Sequence, residues 1–241
     1  MRTASMSTPS VQDPTRVLPQ RTKLVDQVYD AIFTEITEGK LPPNSRLIQE
    51  ELAEAYGVSR QPVQQALLLL RSQGIVSDAP GRGLLVLPLD VGLVRRLYEV
   101  RAVLEGLAAR LAAGNTDGTS AAQGTSLIKT GRAAVRSHSV TQQIAADLAF
   151  HRFLYDASGN PLIQETTAPH WNHMQRVMGD VLRGDDAMPG TIWDEHAAIL
   201  EAVLAGHADA AETLARRHIT RAANVFIDRL QSRTPAPAAA G

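Results

Sequence analysis

The stretch Gly57-Val58-Ser59-Arg60-Gln61-Pro62-Val63 contains the end of one predicted helix and the start of the next, and it is the strongest indication of how the N-terminal part of the chain folds. Gly57 predicts the end of a helix over residues 49–56, because glycine adopts the left-handed backbone at little steric cost. Ser59 is a residue type that caps helix N-termini, and Pro62 fits the first turn of the helix that follows. The stretch therefore predicts a tight turn between two short helices.

Further elements on both sides complete a small domain over residues 21–88. An earlier helix, ended by Gly39, is predicted from apolar residues at helical spacing: Val25, Val28, Ile32 and Ile36. After the third helix, two β-prone runs flank the Pro- and Gly-containing segment 79–83, which predicts a hairpin. Three helices and a hairpin indicate a winged helix-turn-helix, whose third helix can enter a DNA major groove. From the outline alone, any other small helical domain with a hairpin fits equally well.

From residue 90 onward the pattern becomes wholly helical. Six helices are predicted, over 91–113, 121–137, 142–158, 162–183, 192–205 and 208–231. Their short connections favour antiparallel packing, so 90–231 is predicted to be an all-α helical bundle, and the fold class is mainly α with a small β wing. The segments 1–20 and 232–241 lack periodicity and are expected to form a disordered leader and tail.

Composition excludes several classes of protein. The 241 residues include no cysteine, which excludes disulfides, thiolate metal sites and cysteine nucleophiles, and we expect a cytoplasmic location. No apolar run approaches the roughly 20 residues that span a bilayer, so no membrane association is expected. The net charge of -1 argues at first against a nucleic-acid partner. Residues 57–88, however, contain three basic residues, Arg60, Arg71 and Arg82, and only one acidic residue, Asp78. This local excess of positive charge favours DNA binding by this part of the chain.

Several segments of the N-terminal domain closely resemble, in order and spacing, the GntR family of bacterial transcription regulators: Lys40-Leu41-Pro42-Pro43-Asn44-Ser45-Arg46-Leu47, Glu51-Leu52-Ala53-Glu54, the stretch 57–63, Ala66-Leu67 and Gly74-Ile75-Val76. The resemblance implies a homodimeric regulator that binds a double-stranded DNA operator. It also implies a set of DNA-contacting residues: Arg46, Ser59, Arg60, Gln61, Gln64, Arg82 and Gly83. Ser59 and Arg60 would contact phosphate and bases, while Arg82 and Gly83 would enter the minor groove.

Two positions depart from the family's pattern. Members often carry arginine where this chain has Glu50, and a Val-Arg-Glu-Ala-Leu run where it reads Val63-Gln64-Gln65-Ala66-Leu67. Gln64 can still read adenine, but Glu50 would repel a phosphate unless its side chain turns away. We therefore expect an atypical operator, or weaker binding with a shallower salt dependence.

Four polar residues lie on otherwise apolar stripes of three bundle helices: Asp147, His151, His196 and His218. A single inward histidine is more often a core residue bonded to a backbone carbonyl. Each buried polar group without a partner lowers the stability of the fold by about 1–3 kcal/mol. These four residues are therefore expected to form hydrogen bonds with one another or to hold a divalent cation. Such ligands favour a transition metal, above all zinc, with nickel, manganese or iron also possible.

A second resemblance concerns residues 90–231. The segment 98–110 and four short motifs are similar to the FCD domain, the helical effector-binding domain of the FadR branch of the GntR family: Asp147-Leu148-Ala149-Phe150-His151, Ser158-Gly159-Asn160-Pro161-Leu162, Glu195-His196 and His218-Ile219. In metal-binding members, an aspartate and three histidines hold a divalent ion. The resemblance implies the same role for Asp147, His151, His196 and His218, and argues against an acyl-CoA effector.

Arg101 lies on the apolar stripe of its own helix, so its charge needs an anionic partner. Two partners fit: an inward acid in a structural salt bridge, or the carboxylate of a small organic acid bound beside the metal. Asn172 and His173 are further candidates for this effector pocket. The alternative function is a metal-dependent hydrolase or lyase acting on a small carboxylate. Because no HExxH or Ser/His/Asp pattern is present, we expect a ligand-responsive regulator and not an enzyme.

Overall fold

The computed structural model describes residues 23–115, 118–183 and 188–233. The predicted leader, 1–20, and nearly all of the predicted tail lie outside these ranges. The N-terminal domain contains α1 (Lys23–Thr37), β1 (Arg46–Leu47), α2 (Gln49–Ala55), α3 (Arg60–Ser72), β2 (Val76–Asp78) and β3 (Leu84–Val86). The strands form an antiparallel sheet in the order β1-β3-β2, which makes β2 and β3 the wing.

Local sequence explains most of these elements. Gly57 and Gly74, after α2 and α3, have φ values of 63° and 68°, where a side chain would be strained. Ser59 precedes α3 in an extended conformation, but within the described residues its hydroxyl makes no capping bond. The strand β1 was not predicted, because two residues carry no alternation of their own and pair only once β3 lies beside them.

The second domain consists of seven α-helices in the described part: α4 (Val91–Asn115), α5 (Gly118–Arg136), α6 (Val140–Ala157), α7 (Pro161–Thr167), α8 (Trp171–Leu182), α9 (Met188–Leu204) and α10 (Ala208–Arg233). The mainly α fold class is therefore confirmed. A single helix over 162–183 is wrong, since a 3-10 turn over Ala168–His170 separates α7 from α8. Pro169 lies in this turn and cannot donate the backbone bond that a continuous helix requires. The last helix also continues to Arg233, two residues into the predicted tail.

Packing brings five helices of the second domain together. The long helices α4 and α10 lie along each other, α6 packs on α4 and α5, and α9 packs on α5 and α10. Each of these helices buries a face in one of two large apolar clusters. None of the described helices contains an apolar stretch that could span a bilayer.

Helix α8 joins the two domains. At Gly179 the backbone comes so close to α1 that a Cβ atom would lie 2.4 Å from the Thr37 carbonyl oxygen. Asn172 Nδ2 donates to Tyr29 Oη over 2.7 Å and to Gln73 Oε1 over 2.9 Å. The winged domain is therefore held directly against the helical domain by packing and by side-chain hydrogen bonds.

Candidate metal centre and DNA-binding surface

The four polar residues of the apolar stripes lie together in the core of the second domain. His151 on α6, His196 on α9 and His218 on α10 each offer a ring nitrogen, and the three nitrogens lie within 4.8 Å of one another. The carboxylate of Asp147, one turn before His151, is 3.6 Å from His151 Nε2 and 3.6 Å from His196 Nε2. His196 Nε2 and His218 Nε2 are 3.1 Å apart. Four groups of metal-ligand type thus share one small space.

The spacing of one nitrogen pair fits a bound ion. Imidazole nitrogens bind zinc at about 2.0–2.1 Å, and two such nitrogens lie about 3.0–3.4 Å apart when the angle between their bonds is close to tetrahedral. The separation between His196 Nε2 and His218 Nε2 matches this value. The donor set is nitrogen and oxygen only, because the chain has no cysteine.

Two acidic residues support the histidines from the outside. A carboxylate oxygen of Glu105 on α4 lies 3.0 Å from His151 Nδ1, and Glu195 Oε2 lies 2.7 Å from His218 Nδ1. Such bonds place the ring hydrogen on Nδ1 and leave the Nε2 lone pair free for a metal, which is the usual outer support of histidine ligands. Sequence reasoning missed both acids. The spacing of four residues between Arg101 and Glu105 was the signal that could have found the first.

Protonation states also suit metal binding. Burial lowers the pKa of His196 far below its ordinary value, and the neighbouring His218 and His151 lower that pKa further. Burial lowers the pKa of His218 as well, and outweighs the opposing effect of Glu195. Both rings are therefore neutral at pH 7, which is the form that donates a lone pair to a metal.

The supporting acids are ionised. Burial by itself would raise the pKa of Glu105, but His151 and Arg101 outweigh burial and hold this pKa at about 2. The pKa of Glu195 is also about 2, because hydrogen bonds from His218 and Arg221 outweigh its burial. Negative charge behind two of the rings raises the basicity of the nitrogens that face the centre.

Arg101 lies in the core near these groups and is 4% exposed. Its Nε donates to Glu105 Oε1 over 3.0 Å, so the structural salt bridge is formed. Its guanidinium lies 5.6 Å from the Tyr98 ring and 5.9 Å from the Trp171 ring. Two buried donors, Arg101 Nη2 and Tyr98 Oη, have no hydrogen-bond partner among residues 23–115, 118–183 and 188–233. The positive charge of Arg101 also acts on the neighbouring Tyr98 hydroxyl and opposes the rise in its pKa that burial causes.

Asn172 and His173 lie at the domain interface instead. Trp171 and Met174 occupy the inward face of α8, so the residues between them face the winged domain. Asn172 bonds Tyr29 and Gln73 there, and half-buried His173 makes a hydrogen bond to the backbone of Gln73. The structure thus places both residues against the winged domain, and their role in effector binding stays a prediction.

The predicted DNA-contacting residues lie on one surface of the winged domain. Ser59, Arg60, Gln61 and Gln64 are exposed at the start of α3, and Arg82 is exposed in the loop between β2 and β3. Gly83, beside Arg82, has a φ of 89°, and a Cβ there would lie 2.6 Å from the Leu47 carbonyl oxygen. Arg46 donates to the carbonyl oxygens of Arg82 and Pro80, so its side chain holds the wing in place.

A winged helix-turn-helix joined to a helical domain with a buried polar centre defines a two-domain, DNA-binding transcription regulator. The chain belongs to the GntR family. The family model described as bacterial regulatory proteins, gntR family, matches residues 24–86, and the model of the FCD domain matches residues 96–221. Both resemblances drawn from the sequence are confirmed.

Curated relatives and solved structures agree with this assignment. The regulator LutR of Bacillus subtilis is 28% identical over 215 residues, which cover 79% of this chain and 95% of LutR. McbR of Escherichia coli is 29% identical over 148 residues, covering 61% of this chain and 67% of McbR. These relatives are named as transcription regulators, which does not support the hydrolase or lyase alternative.

Two solved structures share the fold. Escherichia coli McbR/YncC has a TM-score of 0.74 at 23% identity, and the match covers 87% of this chain and 99% of that one. A GntR regulator from Rhodococcus sp. RHA1 has a TM-score of 0.71 at 21% identity, covering 88% of this chain and 100% of that one. At these identities the likeness establishes the architecture of both domains.

Proposed function

We propose that this regulator responds to a small organic acid that binds next to a divalent transition metal ion. Asp147, His151, His196 and His218 hold the ion. The observation that carries the proposal is the meeting of these four groups in the core, with Glu105 and Glu195 behind two of the rings. Zinc fits the donor set best, and nickel, manganese or iron use the same ligands.

The buried donors near the centre support an anionic effector. Arg101 Nη2 and Tyr98 Oη lack partners in the described part of the chain, and an unpaired buried donor is costly. A carboxylate accepts hydrogen bonds from both groups, and the positive ion supplies further attraction for its charge. Burial raises the pKa of Tyr98, so its hydroxyl keeps its hydrogen and donates. A bound acid therefore provides hydrogen-bond acceptors for two buried donors that have no partner in the described part of the chain.

The regulator acts as a homodimer in the cytoplasm, where operator DNA is found. Three apolar side chains on one face of α4 support the dimer: Val100, Val103 and Leu107, of which the first two are 55% and 51% exposed. A second copy of the chain covers this face and places two recognition helices on adjacent half-sites. The effector shifts the equilibrium between two kinds of dimer arrangement: those whose recognition helices match the distance between the half-sites, and those whose recognition helices do not.

Val103→Asp is expected to convert the dimer into a monomer, because it places a charge in the middle of the apolar face. Operator affinity should then fall at least about tenfold, since the two half-sites are no longer bound together. Light scattering measures the mass in solution. Leu162→Asp is the matched control, because Leu162 is 63% exposed on α7 and outside this face. A Val103→Asp protein that keeps the mass of the wild type would contradict the proposed interface.

A mobility shift with promoter DNA from the protein's own gene neighbourhood tests the function as a whole. The full-length, metal-analysed protein should bind this DNA, and thermal-shift screening should find a small carboxylate that raises its melting temperature. That carboxylate should change the DNA affinity in one direction or the other, and a chelator should abolish the change. Metal-dependent turnover of the acid without any effect on DNA binding would refute the proposal.

A further inference from the structure

An acid lies where the cations of the DNA-facing surface meet. Glu50 is the second residue of α2, and its Oε1 is 2.5 Å from Arg82 Nη2 in the wing and 3.4 Å from Arg60 Nη1 at the start of α3. The two arginine side chains are 69% and 68% exposed. A single carboxylate therefore bridges the two cations that resemblance assigns to DNA.

This bridge contributes little to folding, because exposed ion pairs are screened by water. Its consequence for DNA binding is larger. The group formed by Glu50, Arg60 and Arg82 carries one net positive charge in place of two, and phosphates compete with Glu50 for the same guanidinium groups. Attraction to DNA of any sequence is therefore weakened, because each lost phosphate contact reduces the salt-dependent part of the affinity.

Neighbouring contacts fix the position of Glu50 relative to α3, the recognition helix of the winged helix-turn-helix. Gln49 Nε2 donates to the Arg60 carbonyl oxygen over 2.8 Å, which joins the start of α2 to the start of α3. Glu50, Gln64 and Arg82 also line one groove of about 220 Å³ between α3 and the wing. The two departures from the family's pattern, Glu50 and Gln64, therefore line the same groove beside the recognition helix α3.

A carboxylate has a specific partner in the major groove. It accepts a hydrogen bond from the amino group of cytosine, whereas guanine O6 and N7 and the phosphate oxygens are acceptors that repel it, and the amino group of adenine lies beside the acceptor N7. We propose that Glu50 is a specificity-determining residue that selects cytosine at one position of each operator half-site and weakens binding to other DNA. The inference rests on DNA binding by the winged domain and does not depend on the metal or the effector.

The test compares the full-length wild type with Glu50→Gln, in which the charge is removed and the shape is kept. Glu51→Gln is the matched control, because Glu51 is the exposed neighbour on the same helix. Half-sites are first selected from a random DNA library. Affinities are then measured by fluorescence anisotropy, at several salt concentrations, for the selected operator, for single-base variants of it and for an unrelated duplex.

The wild type should select cytosine at one half-site position, and Glu50→Gln should reduce discrimination there by about tenfold. Glu50→Gln should also bind the unrelated duplex about threefold more tightly at low salt, with a salt slope steeper by about one. Glu51→Gln should match the wild type in both respects. Unchanged base preference in Glu50→Gln would overturn the inference, even if its affinity for unrelated DNA rose. Because no effector is added, that failure would leave the proposed sensing of an organic acid untouched.

Discussion

His196→Ala is expected to abolish metal binding and, with it, the stabilisation that the metal gives to the folded protein. His196 Nε2 faces both His218 Nε2 and the Asp147 carboxylate, so its loss leaves three ligands of four. A metal present at 100 times its Kd stabilises a folded protein by about 2.7 kcal/mol. For a chain of this size, that free energy corresponds to about 5–10 °C in Tm. The wild type should therefore lose this much Tm on addition of a chelator, and His196→Ala should lose none.

Elemental analysis of the purified proteins provides the second readout of this prediction. The wild type should contain about one transition metal ion per chain, and His196→Ala close to none. His207→Ala is the control, because His207 is an exposed histidine just before α10. Its metal content and its response to chelator should equal those of the wild type. If His196→Ala retained the wild-type metal content, the assignment of the four ligands would be wrong.

Arg101→Met is expected to eliminate the response to small carboxylates without loss of the metal. Truncating one member of a buried charge pair costs about 2–5 kcal/mol, so the effector Kd should rise at least about 30-fold. Glu105 keeps its bonds to His151 and Tyr155 in this variant, so its charge is not left without partners. The fluorescence of Trp171, whose ring lies 5.9 Å from the Arg101 guanidinium, reports occupancy of the site.

Arg152→Met is the matched control for Arg101→Met. The Arg152 guanidinium lies 5.5 Å from the same Trp171 ring, but its side chain is exposed on the surface of α6. Its loss should change the Trp171 spectrum and leave the effector affinity intact. A carboxylate that binds Arg101→Met as tightly as the wild type would show that Arg101 serves only as the partner of Glu105.

Local sequence was sufficient for the three helices and the hairpin of the winged domain and for most helices of the second domain. The glycines after α2 and α3 end those helices by their own backbone preference, and apolar periodicity marks the buried faces. The break between α7 and α8 also has a local signal, Pro169. It was not predicted, because the apolar periodicity on both sides favoured one continuous helix. The strand β1 carried no local signal, because its two residues become a strand only by pairing with β3.

The candidate centre could likewise be predicted only in part from local sequence patterns, and the rest depends on tertiary contacts. Helical periodicity already assigns Asp147 and the three histidines to the buried faces of α6, α9 and α10, since the 3.6-residue period sets the phase of each helix. Contacts between distant helices were needed to bring these faces together, to place Glu105 and Glu195 beside the rings, and to turn Asn172 toward the other domain. The physical reason is that helix rotation and depth are set by packing between side chains distant in sequence, such as His151 and Glu105, which are 46 residues apart.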